Sequence, residues 1–408
     1  MSLEIRPITE AELRPWLEAV ETSFGDEVRE ERFADFRRII EVDRVLGAYD
    51  AERLVGGGAA FSFRLTVPGP RQLAAAGVTA VGVLPTHRRQ GMLRQLMTRQ
   101  LADIRARGEP LAILWASEGP IYQRFGYGLA SLNGRFEIER ERTAFRHSTQ
   151  PASRVRLIST DEAKRTLPPI YDAVREVTPG FYERSADWWQ ANVLSDYPAT
   201  RRGASRMFLC LHERHGAPAG YAIYRIQSDW GDLGTNSVLQ VIEMLAVDPL
   251  AEREMWRFLF DVDLIARIRS RLGPVPHPLQ LTLADPRRLG LRVGDGLWLR
   301  LLDVPAALEG RGYAADGKVV LEVVDGMLPE VGGRFRLTAS GGEGRMEPTA
   351  DGPDLELDVT DLAAVYLGAF SFSDLGRAGR SVELQPGARV RADAMFASAV
   401  PAWCPEIF

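Results

Sequence analysis

Cysteine is scarce. The two residues, Cys210 and Cys404, are too few and too far apart for a disulfide framework or a cysteine-rich zinc site, and they fit a reducing compartment. The five histidines show no HExxH-type spacing, so no metal is expected. No stretch reaches the roughly 18 apolar residues of a membrane-spanning helix. The charged opening MSLEIRPITE lacks the apolar core of a Sec signal. No membrane partner is expected and the location is expected to be cytoplasmic, with export by another route left open. Positive charge is not in excess either. With 50 Lys+Arg against 55 Asp+Glu the formal net charge is −5, which argues against a nucleic-acid partner and is compatible with a cationic one.

What is present is a globular composition, 45% hydrophobic and 26% charged, in 408 residues, enough for two or three domains. Residues 1–145 read as mixed α/β. Strand patterns at 45–50, 57–67, 78–85 and 111–117 surround a helix that carries Leu93, Leu96, Met97, Leu101 and Ile104 on one face. Residues 146–300 read as a second α/β domain, with strands at 208–211, 220–226 and 238–247. A helix follows Pro249, and the segment GPVPHP (273–278) resembles a linker. Residues 301–408 change texture to α+β, with strands at 317–326, 333–340 and 354–360 and helices at 361–370 and 388–400. The first two domains share a faint repeat. VGVLPTHRRQGML (81–93) aligns with LAVDPLAEREMWR (245–257), each an apolar strand, a proline and a helix start. The second copy puts Glu252 where the first has Arg88, and Met255 where it has Gly91.

The chemistry concentrates in VGVLPTHRRQGMLRQLM (81–97). A helix that opens just after a strand presents unpaired N–H groups and a positive dipole end, which together hold a pyrophosphate. Gly91 lets backbone approach phosphate, and Arg88, Arg89 and Arg94 add charge-assisted contacts. The bland reading of the same residues is a strand-to-helix turn with solvated arginines. A second segment, ASEGPIYQRFGYG (116–128), follows the apolar strand LAILW and carries Tyr122 and Tyr127. A tyrosine beside a leaving thiolate can supply its proton; the bland reading is two packing aromatics.

Arg88-Arg89-Gln90-Gly91-Met92-Leu93 resembles the acyl-CoA-binding motif of the GCN5-related N-acetyltransferase superfamily, with Leu93 where glycine or alanine is commoner. Tyr122-x-x-x-Gly126-Tyr127 matches that superfamily's next functional segment. Together with the degenerate second copy, the α+β end domain, DGLWLRLLDVPAALEGRGYA (295–314) and VYLGAF (365–370), the whole chain resembles the enhanced intracellular survival family of bacterial acetyltransferases.

The resemblance implies a mixed α/β, overall α+β architecture of tandem acetyltransferase-like domains followed by a sterol-carrier-protein-like domain. It implies acetyl transfer from acetyl-CoA to amines of aminoglycoside-like polyamines and to lysine side chains, by a homohexamer. Tyr122 would be the acid, and the terminal carboxylate of Phe408 the proton acceptor. Val81, Gly82 and Val83, the run Arg89, Gln90, Gly91, Met92, Leu93 and Arg94, and Ser117 and Glu118 would contact acetyl-CoA. Phe24 and Asp26, with Phe36 beyond them, would line the acceptor pocket.

Glu118, Asp26, Glu406 and His87 are other candidate bases, and Glu406 is also a candidate substrate contact. The end of the chain, AWCPEIF (402–408), would use Ile407 and the Phe408 ring as anchors and the α-carboxylate as the functional group. Cys404 reads as a small buried thiol. A non-catalytic acyl-CoA-binding module and a lipid carrier are the alternatives to an enzyme.

Overall fold

The structure is a computed structural model that describes residues 3–147, 154–232 and 234–408. Its chain divides into two compact units. One comprises residues 1–131, 297–399 and 407–408; the other comprises 132–296 and 400–406.

The first unit opens with six strands: β1 (Leu3–Pro7), β2 (Val45–Asp50), β3 (Arg53–Val67), β4 (Arg71–Val83), β5 (Leu111–Trp115) and β6 (Gly128–Leu129). Helix α1 (Leu13–Phe24) buries Leu13, Trp16, Leu17 and Val20, the i, i+3, i+4, i+7 stripe of an amphipathic helix, and stops at Gly25 in a left-handed conformation. Helix α2 (Glu30–Ile39) comes next. Helix α3 (Met92–Ala106) buries Met92, Leu96, Met97, Leu101 and Ile104, nearly the face read from the sequence. Leu93 packs from the side onto a cluster that includes Tyr122, Tyr127 and Trp298. The short helix α4 (Gly119–Gln123) carries Tyr122.

The second unit holds β7 (Leu132–Glu139), β8 (Arg154–Leu157), β9 (Phe208–Arg214), β10 (Ala217–Gln227), a small hairpin of β11 (Trp230–Gly231) and β12 (Gly234–Thr235), β13 (Val238–Ala246), β14 (Arg267–Ser270) and β15 (Arg292–Asp295). Its helices include α5 (Thr160–Arg175), the single turn α6 (Ala186–Trp188) and α7 (Pro249–Asp261), with a further short helix at Leu279–Thr282. The helix that follows Pro249 ends at Asp261. The linker-like 273–278 segment is part of this unit's packing, with His277 buried and its ring edge-on to Phe136 at 5.2 Å.

Sheet order does not run in chain order. The strand β16 (Leu297–Leu301) pairs with β5 and β6, giving β1-β2-β3-β4-β5-β16-β6 in the first sheet. Reciprocally β7, the strand next in the chain after β6, pairs with β14 and β15 in β15-β7-β14-β13-β10-β9-β8. The exchange crosses the boundaries at 145 and 300 read from composition.

A third sheet, β19-β18-β17-β20-β21, is built from β17 (Gly317–Val324), β18 (Gly333–Ser340), β19 (Glu343–Pro348), β20 (Leu355–Asp358) and β21 (Ser381–Glu383). With helices at Val304–Gly310, Val359–Tyr366, Phe372–Arg377 and Ala388–Phe396 it forms the α+β part expected at the chain's end. Among the described residues no helix is long and apolar enough to cross a membrane.

Candidate active site

Strand β4 makes the site by leaving its neighbour. It pairs with β5 only through Ala75–Gly77 against Leu111–Ile113; from Val78 on, the described residues offer it no partner on that side. On its other side the register with β3 slips, from Ala59↔Thr79 to Gly57↔Gly82. The extra residue is taken up around Ala80, whose φ of 52° is left-handed. Such a bulge twists a strand and re-aims the residues beyond it. Here those residues are Val81–Val83, on the part of β4 that has left β5 and borders an open wedge between the two strands.

Beyond the wedge, the turn 85–91 leads into α3. Gly91 caps the helix with φ 82°, and no side chain accepts from the first helical N–H groups. A Cβ on Gly91 would meet nothing within 4 Å, so the glycine serves the left-handed turn and leaves the helix end open. Met92 is buried, while Arg89, Gln90 and Arg94 are exposed around this end. The result is a positive helix terminus with no side-chain cap among the described residues and with exposed cations beside it.

Arg88 has a different place from the one the motif suggests. Its Nε donates to the Val83 carbonyl at 3.1 Å and its Nη2 to the Ser23 carbonyl at 2.7 Å. It therefore ties the turn to the end of β4 and to the end of α1. His87 is a turn residue: Nδ1 bonds the Thr86 hydroxyl at 2.8 Å and Nε2 lies 3.5 Å from Asp50.

Across the wedge, the end of β5 supplies Ser117 and Glu118, both exposed, and α4 supplies Tyr122, which is 6% exposed. Burial raises the Tyr122 phenol above its ordinary pKa, and the Ser117 hydroxyl that hydrogen-bonds it pulls the other way. A raised phenol holds its proton at neutral pH, the state a general acid needs. Tyr127 packs edge-on to Tyr122 with ring centroids 6.0 Å apart and is fully buried, as expected of a packing aromatic.

Behind the tyrosines lies a group that the sequence alone does not single out. Arg300 is fully buried, its Nη2 donates to Asp325 at 2.5 Å, and Nε and Nη1 have no hydrogen-bond partner among the described residues. It lies against Gly126, where a Cβ would stand 2.5 Å from the guanidinium carbon. Asp325 also accepts from the backbone of Met327 and Leu328, which pack on the Tyr122 cluster. The available signal is one arginine inside the apolar run LWLRLL (297–302).

On the other side of β4, Phe24 is 53% exposed, and its ring would lie 3.5 Å from a Cβ on Gly82. Asp26 is exposed and accepts from the Glu27 N–H next to it. An aromatic ladder runs nearby: Trp16–Phe36 at 6.0 Å, Phe36–Phe61 at 6.5 Å, Phe61–Phe63 at 5.6 Å, and Phe63–Phe408 at 5.1 Å. The Phe408 ring is thus held edge-on to β3, in the same compact unit as Tyr122.

Ile407, expected as a second anchor, is 60% exposed. The anchoring falls to Glu406 instead. Its carboxylate accepts from Tyr182 at 3.0 Å, Arg184 Nε at 3.0 Å, Trp188 Nε1 at 2.9 Å and Asn192 at 3.2 Å. Through these four donors Glu406 fastens the tail. Cys404 is buried and its thiol donates to the Glu406 carbonyl at 3.2 Å.

The second unit repeats the wedge. β13 slips against β10 at Ile242 and parts from β14 after Val241–Ser270. Here, however, α7 begins directly at Pro249, and the Asp248 side chain accepts from Leu250 and Ala251 N–H at 3.0 and 2.9 Å. A carboxylate already occupies the place a phosphate would take.

Comparison with known proteins agrees with this geometry. Residues 4–130 and 180–301 each match an acetyltransferase (GNAT) domain family, and residues 304–405 match a sterol carrier protein domain. The chain is 39% identical to an uncharacterized N-acetyltransferase of Streptomyces avermitilis over 100% of both chains. It is 37% identical to the N-acetyltransferase Eis of Mycobacterium tuberculosis over 93% of each. Eis1 from Mycobacterium abscessus superposes with a TM-score of 0.85 at 32% identity, covering 100% of both chains.

Proposed function

The chain belongs to the Eis family of GCN5-related N-acetyltransferases, and we propose that it carries acetyl groups from acetyl-CoA to amines of aminoglycoside-like polyamines, at more than one position, and to lysine side chains. The observation that carries the reading is the open end of α3 beyond the bulged, parted β4, set against the Asp248-capped end of α7 at the corresponding place.

In this reading the first N–H groups of α3, from Gly91 to Leu93, hold the pyrophosphate, with Arg89 and Arg94 as ion partners and Gln90 beside them. Arg88 shapes the turn. The amide-bearing arm lies along Val81, Gly82 and Val83, with Ser117 and Glu118 on the facing edge. Phe24 and Asp26 flank the acceptor.

The attacking amine must be neutral, whereas alkyl ammonium groups titrate near 10. The Phe408 carboxylate, directly or through water, accepts that proton and attracts the cation. An ordinary α-carboxyl, near 3.5, is a weak base, so its contribution is largely electrostatic and positional. Nitrogen then bonds to the thioester carbon, and the oxyanion accepts from the Val83 N–H. The C–S bond breaks, and the thiolate takes the Tyr122 phenol proton.

The test measures free thiol with acetyl-CoA and a panel of polyamines and lysine peptides. Wild type is compared with Tyr122→Phe and with a chain extended past Phe408. Thiol release with polyamines, lost in both variants, is expected. No release with any polyamine removes the acceptor assignment, and full activity of the extended chain removes the Phe408 carboxylate. Assembly as a hexamer is read by light scattering of the same sample.

A further inference from the structure

The wedge of the second unit is not filled. Between the parted ends of β13 and β14 lies a cavity of about 210 Å³, backed by Val241–Ala246. Helix α7 contributes Glu252 and Trp256 to its wall, the 273–278 segment contributes His277, and the tail contributes Pro401, Trp403 and Pro405. Acetyl-CoA is the wrong occupant, because the Asp248 carboxylate already caps α7 and Glu252 places a second carboxyl in the helix's first turn.

The acidic groups on the cavity wall are Glu243 and Glu252, and the lining includes no lysine or arginine among the described residues. Glu243, on its wall, pairs with Arg184 at 2.6 Å, and Arg184 also meets Glu406 at 2.9 Å, so one guanidinium serves two carboxylates. Glu252 makes no ion pair among the described residues. Trp256 is 3% exposed, and its indole N–H has no hydrogen-bond partner of good geometry among the described residues. The His277 Nδ1 accepts from the Leu279 N–H at 3.2 Å, and burial pushes the ring's pKa down to about 4, so it brings no positive charge. Burial also raises the Glu252 carboxyl above its ordinary value, more than the neighbouring Trp256 lowers it.

A half-buried carboxyl without a cation, in a pocket with two indole rings on its wall, is a place with its counter-ion missing. We propose that this cavity binds a small amphiphilic amine, its ammonium on Glu252 and its apolar body against Trp256 and Trp403. The site is independent of the catalytic reading of the first unit.

Calorimetry on the full chain tests it with two probes of one shape: tryptamine and its neutral twin, tryptophol. Wild type is expected to bind tryptamine at least about tenfold more tightly than tryptophol. Glu252→Gln should bring the two probes level. At pH 5, titrations in two buffers of different ionisation enthalpy should show proton release as tryptamine drives Glu252 to ionise.

Equal affinity of the two probes for wild type overturns the proposal. So does tryptamine binding unchanged in Glu252→Gln, which would place the amine at another site. Should that variant fail to fold, proton release in wild type decides, and its absence overturns the proposal.

Discussion

A single side-chain carbon decides much around the tyrosines. Gly126 has φ 81°, and a Cβ there would sit 2.5 Å from the Arg300 guanidinium carbon, which is fixed by Asp325. Gly126→Ala is therefore predicted to cost about 2–4 kcal/mol in urea unfolding, from left-handed strain plus overpacking. Tyr122→Phe should leave the fold intact and lower kcat by about 10²–10⁴-fold, with KM for acetyl-CoA little changed. Because burial raises the Tyr122 phenol, no alkaline loss of activity from its ionisation should appear below about pH 10.

His277 gives a pH signature of stability. Its ring is held neutral in the fold, down to about 4 against an ordinary value near 6.5, so the unfolded chain binds the proton first. Stability is then full above about 6.5 and falls as pH drops toward 4, by up to about 3 kcal/mol. Thermal melting of wild type and His277→Phe across that window should show a shallower pH slope in the variant. At this scale the sequence names residue types without their partners. Arg88 looks like Arg89 until its bonds to Ser23 and Val83 are seen, and Ile407 looks like an anchor until its exposure is seen.

At the scale of elements, the cleft comes from one extra residue in β4 and a short ladder to β5. Gly82 lies on the part re-aimed by that bulge, and a Cβ on it would fall 2.1 Å from the Ser23 hydroxyl at the end of α1. Gly82→Ala should push that helix end away, raising KM for acetyl-CoA and lowering Tm together. Asp248→Ala is the control in the other unit. Loss of the α7 cap should cost about 1 kcal/mol without changing acetyl-CoA affinity.

The long apolar strands and the α3 stripe are readable because burial writes period and composition directly. Other elements are not. Helix α5 carries Pro168 and Pro169 inside it, a pattern that reads as a break. Strand β19 is Glu-Gly-Arg-Met-Glu-Pro, polar because it is an edge. The bulge at Ala80 leaves no mark in composition, since only φ distinguishes it.

For the whole molecule, connectivity matters more than domain count. A chain ending at residue 145 would contain β5 and β6 but lack β16, which pairs five residues with β5. Such a fragment is predicted to show no cooperative thermal transition by circular dichroism, and adding the 297–301 peptide should not restore one, because Arg300 also needs Asp325. The tail is distributed in the same manner: residues 400–406 belong to one unit and 407–408 to the other. A tag placed after Phe408 therefore acts on the proposed reaction, whereas a tag before Leu3 should not; paired rate measurements on the two fusions distinguish them.

The exchanged strand also sets a timetable during synthesis. β5 leaves the ribosome long before the segment that completes it. At about 5–20 residues per second, the wait for β16 is roughly 10–40 s. Throughout that interval β5 shows an open, apolar edge in an unfinished sheet, the kind of surface that pairs with a neighbouring nascent chain. Yield in a foreign host should thus depend on translation speed between codons 116 and 301 and on chaperone supply, while the finished protein, once closed, should be indifferent to both.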